Sequence, residues 1–261
     1  MSHLSLRENS YRRKHLAYVR HITLDPTGPG VVRIHMIPPH SQSPEDPYLL
    51  LLNGAQLVPM NFSWAVLLSE FMYCMEPYAG LEISADDWES MLEQAVRAVK
   101  KKVYPFVKAQ ILREDMGTLL RSLVAIARGQ EPEVEVAPLS LGEYADKMSA
   151  PHRMDLMVSS MVKDGAWHCN QKCLHCYAAN QPLSAVPELD TDQWLHCYAA
   201  GQPMGEVKEL DTAQWKELLQ RLQAANIPQV TFTGGEPTLR SDLVELVNAA
   251  QWFVTRLNTN G

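Results

Sequence analysis

Cys169-Asn170-Gln171-Lys172-Cys173-Leu174-His175-Cys176-Tyr177 sets three cysteines in C-x3-C-x2-C spacing, with an aromatic residue directly after the third. Thiolates are soft ligands that suit iron–sulfur clusters and zinc. Structural zinc sites take four protein ligands in a tetrahedron. Three clustered thiolates instead leave one iron of a cubane cluster without a protein ligand, open to a small molecule. The sequence around this loop alternates strand and helix patterns. Met157–Val162 reads as a strand running toward the first cysteine, with Lys163–His168 intervening. Thr212–Ala225 reads as a helix with Trp215, Leu218, Leu219 and Leu222 on one face. A β-branched strand is expected at Gln229–Thr233, a helix at Val244–Ala250 and a third strand at Phe253–Asn258. The alternation predicts an α/β domain with a parallel sheet, whose carboxyl ends carry the ligands.

Two further segments lie at such ends: Val230-Thr231-Phe232-Thr233-Gly234-Gly235-Glu236-Pro237 and Leu257-Asn258-Thr259-Asn260-Gly261. With the cysteine loop they form three motifs in an order that resembles the radical S-adenosylmethionine (SAM) superfamily, over about residues 153–261. The resemblance implies part of a (β/α)6 barrel, here stopping after about three strands. It implies that Cys169, Cys173 and Cys176 each bind one iron of a [4Fe–4S] cluster, and that SAM chelates the fourth iron. One electron then cleaves SAM to a 5′-deoxyadenosyl radical, which abstracts hydrogen from substrate. By the same resemblance, Gly234 and Gly235 let backbone approach the methionine moiety, Glu236 attracts its ammonium group and Pro237 fixes the turn. Tyr177 flanks the adenine, Thr259 contacts SAM, and a flavodoxin or ferredoxin supplies the electron. Taken without the cysteines, Gly-Gly-Glu-Pro reads first as a plain strand-to-helix turn.

Residues 174–194 and 195–215 match at 15 of 21 positions, a tandem duplication of the segment holding the third cysteine. Cys197 therefore repeats the local context of Cys176. Compact chelation favours Cys176, since closing a longer loop costs more entropy. Cys197 is then a spare thiol, or alternatively a ligand to the open iron. Four thiolates also admit a zinc-binding module on Cys169, Cys173, Cys176 and Cys197. Cys176 and Gly234 are separated by 57 residues, and removing one copy leaves 36, so one copy reads as an insertion. His168, His175 and His196 flank cysteines and read as loop residues.

Upstream, Val32, Ile34 and Met36 alternate with Arg33 and His35 as a strand does. Asn53-Gly54 is a hairpin turn between Tyr48–Leu52 and Ala55–Val58. Three helices follow: one carrying Trp64, Leu67, Leu68, Phe71, Met72 and Met75, one opening at Ser84, and one over about Arg113–Arg128 ending at Gly129. Cys74 lies on the first helix's apolar face. Residues 1–130 thus read as a small α+β, winged-helix-like domain, 131–152 as a linker and 153–261 as the α/β portion. Strands followed by helices resemble the peptide-recognition element of radical SAM peptide maturases. That resemblance implies a peptide or protein substrate bound along a sheet edge. A small metabolite or cofactor precursor is the competing substrate class, and the first 130 residues are then an unrelated cap.

The net charge of −7 argues against a nucleic-acid-binding surface driven by bulk positive charge. The sequence contains no apolar run of membrane-spanning length and no apolar signal segment, so a cytoplasmic protein is expected. Five cysteines, four of them clustered, indicate metal or redox use rather than a disulfide framework.

Overall fold

A computed structural model describes residues 5–24, 32–39, 46–78, 81–137, 139–145, 150–160, 162–163, 166–171 and 209–261. The chain divides into two compact units, Met1–Pro151 and His152–Gly261. Among the described residues, no helix is long and apolar enough to cross a membrane.

The first unit opens on helix α1 (Leu6–His15), capped by Ser5 in a reciprocal capping box with Glu8. No apolar periodicity marks this helix in the sequence, because it carries almost no apolar face. A tertiary contact fixes it instead: buried Tyr11 donates its hydroxyl to Glu70 at 2.5 Å. A meander follows, with β1 (Arg20–Leu24), β2 (Val32–Ile37), β3 (Tyr48–Leu52) and β4 (Gln56–Met60) paired antiparallel in that order. The β3–β4 turn is Asn53-Gly54, with φ of 49° and 69°, as that turn demands. β3 is buried along its whole length.

Helices α2 (Phe62–Met75), α3 (Ala85–Lys102) and α4 (Ala109–Ala127) bury their apolar faces in one core with the sheet. Asn61 caps α2 and Ser84 caps α3, each through its side-chain oxygen. Glu70 of α2 is 1 % exposed. Its charge is matched by Lys102 Nζ at 2.8 Å. Residues 130–137 and Leu139 return along this unit, where Arg121 pairs with Glu133 at 2.6 Å and the Leu139 N–H donates to the Leu57 carbonyl at 2.9 Å. A short helix, α5 (Leu141–Ala145), follows. Cys74 is half-buried against the core, and burial pushes its thiol pKa up.

The second unit is a parallel sheet in the order β5 (Arg153–Ser159), β8 (Gln229–Gly234), β9 (Val254–Leu257). Between β5 and the first cysteine stands a two-residue-per-strand hairpin, β6 (Val162–Lys163) with β7 (Ala166–Trp167). The expected first strand therefore ends earlier, at Ser159, and the intervening residues form an element of their own. Helix α6 (Thr212–Ala224) begins at an Asp211–Gln214 capping box and buries Trp215, Leu219 and Leu222. Helix α7 (Leu243–Ala249) precedes β9 and buries Leu243 and Leu246. All three strands run toward one end, where β8 passes into the Gly-Gly-Glu-Pro turn.

In the first unit, His21 lies opposite His35 on paired strands, ring centroids 4.6 Å apart. Burial, aided by the Arg33 charge, pushes the His21 pKa down to about 4. The unfolded chain therefore takes up the proton more readily than the folded one. The stability from a neutral His21 is whole above pH 6.5 and is lost as pH falls toward 4, reaching about 3 kcal/mol. Urea denaturation of His21→Gln is expected to show a correspondingly flatter decline across that window than the unmodified chain. Equal pH profiles would contradict this.

Candidate functional site

The carboxyl end of β8 is shaped by a close approach. A register shift between Met157 and Ser159 brings Ser159 opposite Gly234. Gly234 has φ 147°, and a Cβ there would stand 2.3 Å from the Ser159 carbonyl oxygen. The Gly235 N–H then donates to that same carbonyl at 3.1 Å. Gly234 is thus required by its neighbouring strand, a reason that the motif alone does not disclose.

Glu236 follows, 1 % exposed. Its Oε1 accepts from the Thr238 N–H at 3.0 Å, the Thr238 hydroxyl at 2.6 Å and the Thr259 hydroxyl at 2.7 Å. Its Oε2 accepts from the Asn260 N–H at 2.9 Å. Burial is the largest influence on this carboxyl and would raise its pKa. The hydrogen bonds from Thr238, Asn260 and Thr259 outweigh it, so Glu236 stays below the ordinary carboxylate value. The carboxylate ties the turn after β8 to the residues after β9. Thr259, singled out in the sequence as a cofactor contact, is here a partner of Glu236. Pro237 is buried and opens a short 3-10 turn, Pro237–Leu239.

Cys169 enters at the same end. It is a free, half-buried thiol after the β6–β7 hairpin. Its Sγ lies 3.9 Å from Asn260 Nδ2, and Asn260 Nδ2 also donates to Asn170 Oδ1 at 2.8 Å. His168 turns its Nδ1 to the Ser160 carbonyl at 3.2 Å, which fits its reading as a loop residue. Cys173, Cys176, Tyr177 and Cys197 lie outside the described residues, as do His175 and His196.

Arg240 was not legible as a site residue from the sequence. Its side chain is 9 % exposed. The guanidinium donates to the Val158 carbonyl at 2.8 Å and the Leu210 carbonyl at 3.2 Å, and forks onto Asp242 at 2.8 Å. Glu209 lies 3.6 Å away and accepts from the Ser160 N–H at 2.7 Å. The Arg240 hydrogen bond holds the Asp242 carboxyl at about 2, with Thr212 adding to it. One buried cation thus joins the end of β5, the start of α6 and the start of α7.

Residues 168–261 match the family model described as the radical SAM superfamily. This part of the chain is similar to radical SAM domains, a class of enzyme domain whose members use a [4Fe–4S] cluster and S-adenosylmethionine. The chain is similar to the Fe-coproporphyrin III synthase of Methanosarcina barkeri (strain Fusaro / DSM 804), 39 % identical over 95 residues. Those residues are 36 % of this chain and 18 % of that relative, so the similarity covers under a fifth of its length. No solved structure matches. The described residues fit such a cofactor pair at the Cys169 corner. A free thiol stands at the carboxyl end of parallel strands, facing an amide donor, beside a glycine turn held flush against β5.

Replacing Gly234 by Ala is expected to destabilise the second unit by at least ~3 kcal/mol, from the backbone clash and the unfavourable φ together. Chemical denaturation monitored by Trp215 fluorescence measures it. A variant of unchanged stability would show that β5 is not held against β8 as described.

Proposed function

We propose that this chain is part of a radical SAM enzyme in which Cys169, Cys173 and Cys176 hold a [4Fe–4S] cluster at the carboxyl end of the parallel sheet. One observation carries the reading. Cys169, the Gly234-Gly235-Glu236-Pro237 turn and the Thr259-Asn260 end of the third strand converge within the span that matches the superfamily. When bound, the cluster and SAM together supply one-electron cleavage of a sulfonium bond and hydrogen abstraction from substrate. The protein's own part is to hold the thiolates, to keep the glycine turn open to a ligand, and to exclude water. In this reading the second unit corresponds to the opening strands of a partial (β/α)6 barrel. Tyr177 and the Gly234–Pro237 turn contact SAM, and a flavodoxin- or ferredoxin-type protein donates the electron.

For substrate, the first unit supports a peptide or protein. In this reading it is a winged-helix-like α+β body, and among the described residues β1 forms an outer edge of its four-stranded sheet with no further strand beyond it. A strand-forming peptide could pair there. A second reading, a small cofactor-type metabolite, is favoured by the name of the Methanosarcina relative. A cytoplasmic setting agrees with an oxygen-sensitive cluster.

Anaerobic reconstitution with iron and sulfide tests the assignment. About four irons per chain and a cubane-type spectrum are expected. Cys169→Ala, Cys173→Ala and Cys176→Ala should each abolish the spectrum, and Cys197→Ala should keep it. With SAM and dithionite the reconstituted protein should release 5′-deoxyadenosine. Zinc bound without iron or sulfide would favour an interaction module on four cysteines and reject the enzyme reading. Binding of the first 151 residues' face by a strand-forming peptide, and not by an iron porphyrin, separates the two substrate classes.

A further inference from the structure

The Asn260 side chain has no role of its own in the assignments above, yet it is the described group that reaches Cys169. An amide NH2 has two protons and the carbonyl has none. At Asn260 one proton has Asn170 Oδ1 at 2.8 Å, and the other faces Cys169 Sγ at 3.9 Å. With Asn170 presenting its Oδ1, turning the Asn260 amide over would set its oxygen against two acceptors, the Asn170 oxygen and the sulfur. The cost is visible, because Asn260 Oδ1 is buried without a hydrogen-bond partner. A buried acceptor left unpaired calls for an explanation, and the use of both protons of the same amide supplies one. The backbone of Asn260 is held as well, by its N–H on Glu236 Oε2 at 2.9 Å. The amide is therefore fixed from two sides before any ligand arrives.

We propose that Asn260 is a positioning residue that donates an N–H···S hydrogen bond to the Cys169 thiolate and raises the reduction potential of the cluster it ligates. The inference rests on the radical SAM reading and extends it to one atom pair. A donor aimed at a cluster sulfur stabilises the extra negative charge of the reduced state, and outer hydrogen bonds of this kind are among the protein's means of setting such potentials.

The test uses the full chain, reconstituted anaerobically and reduced with dithionite, with asparagine labelled by 15N in its side-chain amide. Pulsed EPR of the reduced cluster should show a 15N coupling that persists in Asn170→Asp and vanishes in Asn260→Leu. The Asn260→Leu potential should be more negative by about tenfold in the reduction equilibrium, or 59 mV for one electron. Asn260→Gln, which keeps the donor, should recover part of that shift, with iron content unchanged throughout. A cluster in the unmodified protein that shows no asparagine coupling overturns the proposal, as does a coupling that survives Asn260→Leu or potentials that do not differ. If Asn260→Leu takes up no cluster, the unmodified and Asn170→Asp spectra decide alone. Failure of the unmodified chain to form any cluster rejects the radical SAM reading itself, a result distinct from a cluster without the coupling.

Discussion

The site depends on a carboxylate that is buried and still charged. Glu236 would be expected to lose its charge at 1 % exposure, were it not for four donors converging on it. Two of those donors come from its own turn, through Thr238, and two from the end of β9, through Thr259 and Asn260. The interaction is therefore long-range, linking residues 23 and 24 positions apart. Parallel strands have no tight hairpin to fix their relative ends, so a staple between neighbouring strand ends does that work here. Asn260, once held by Glu236, can present its amide to Cys169.

That chain of contacts explains what the sequence discloses and what it hides. Composition and periodicity reveal the parallel elements, because Val230, Phe232 and Val254 are buried on a sheet covered by helices whose apolar residues recur at helical spacing. Asn53-Gly54 was legible for a local reason, the need for positive φ at both positions. Helix α1 was not. Its ten residues carry one buried side chain, Tyr11, and its stability comes from a partner 59 positions away. Periodicity reports burial along one segment and is silent about such pairings.

At the site the same division holds. Cysteine spacing and the glycine pair can be read from the sequence, because ligand count and the absence of a Cβ are properties of single residues. The role of Ser159 as the neighbour that excludes a Cβ at Gly234 could not, since it arises from a β-bulge in a different strand. Arg240 and Asp242 carried a weak local signal, an Arg-x-Asp step after the turn. Their importance comes from Val158, Glu209 and Leu210, which no spacing rule connects to them. Asn260 stood within a motif whose family parallel draws attention to Thr259 instead.

The duplication at 174–194 and 195–215 begins after the Cys169 corner and ends inside helix α6. The described residues break off at Gln171 and resume at Glu209, and both flanks are held. Asn170 bonds to Asn260, Glu209 accepts from Ser160, and Leu210 accepts from Arg240. For a flexible chain, closing 57 residues rather than 36 between Cys176 and Gly234 costs only about 0.4 kcal/mol more, because the cost rises with the logarithm of length. Breaking the Arg240 cluster would strand two carboxylates and two carbonyls, a penalty several times larger. An inserted copy is therefore compatible with an intact sheet end so long as its boundaries fall between the anchors and not across them. The boundaries do so on the entry side, where the first copy begins at Leu174. On the exit side the second copy runs through Glu209, Leu210 and Thr212 to Trp215, so it supplies the exit anchors itself. Its Glu-Leu-Asp-Thr sequence is one of the runs both copies share without change, and either copy could have capped helix α6 and met Arg240. The duplication thus lengthens the excursion without altering the residues that return it to the sheet.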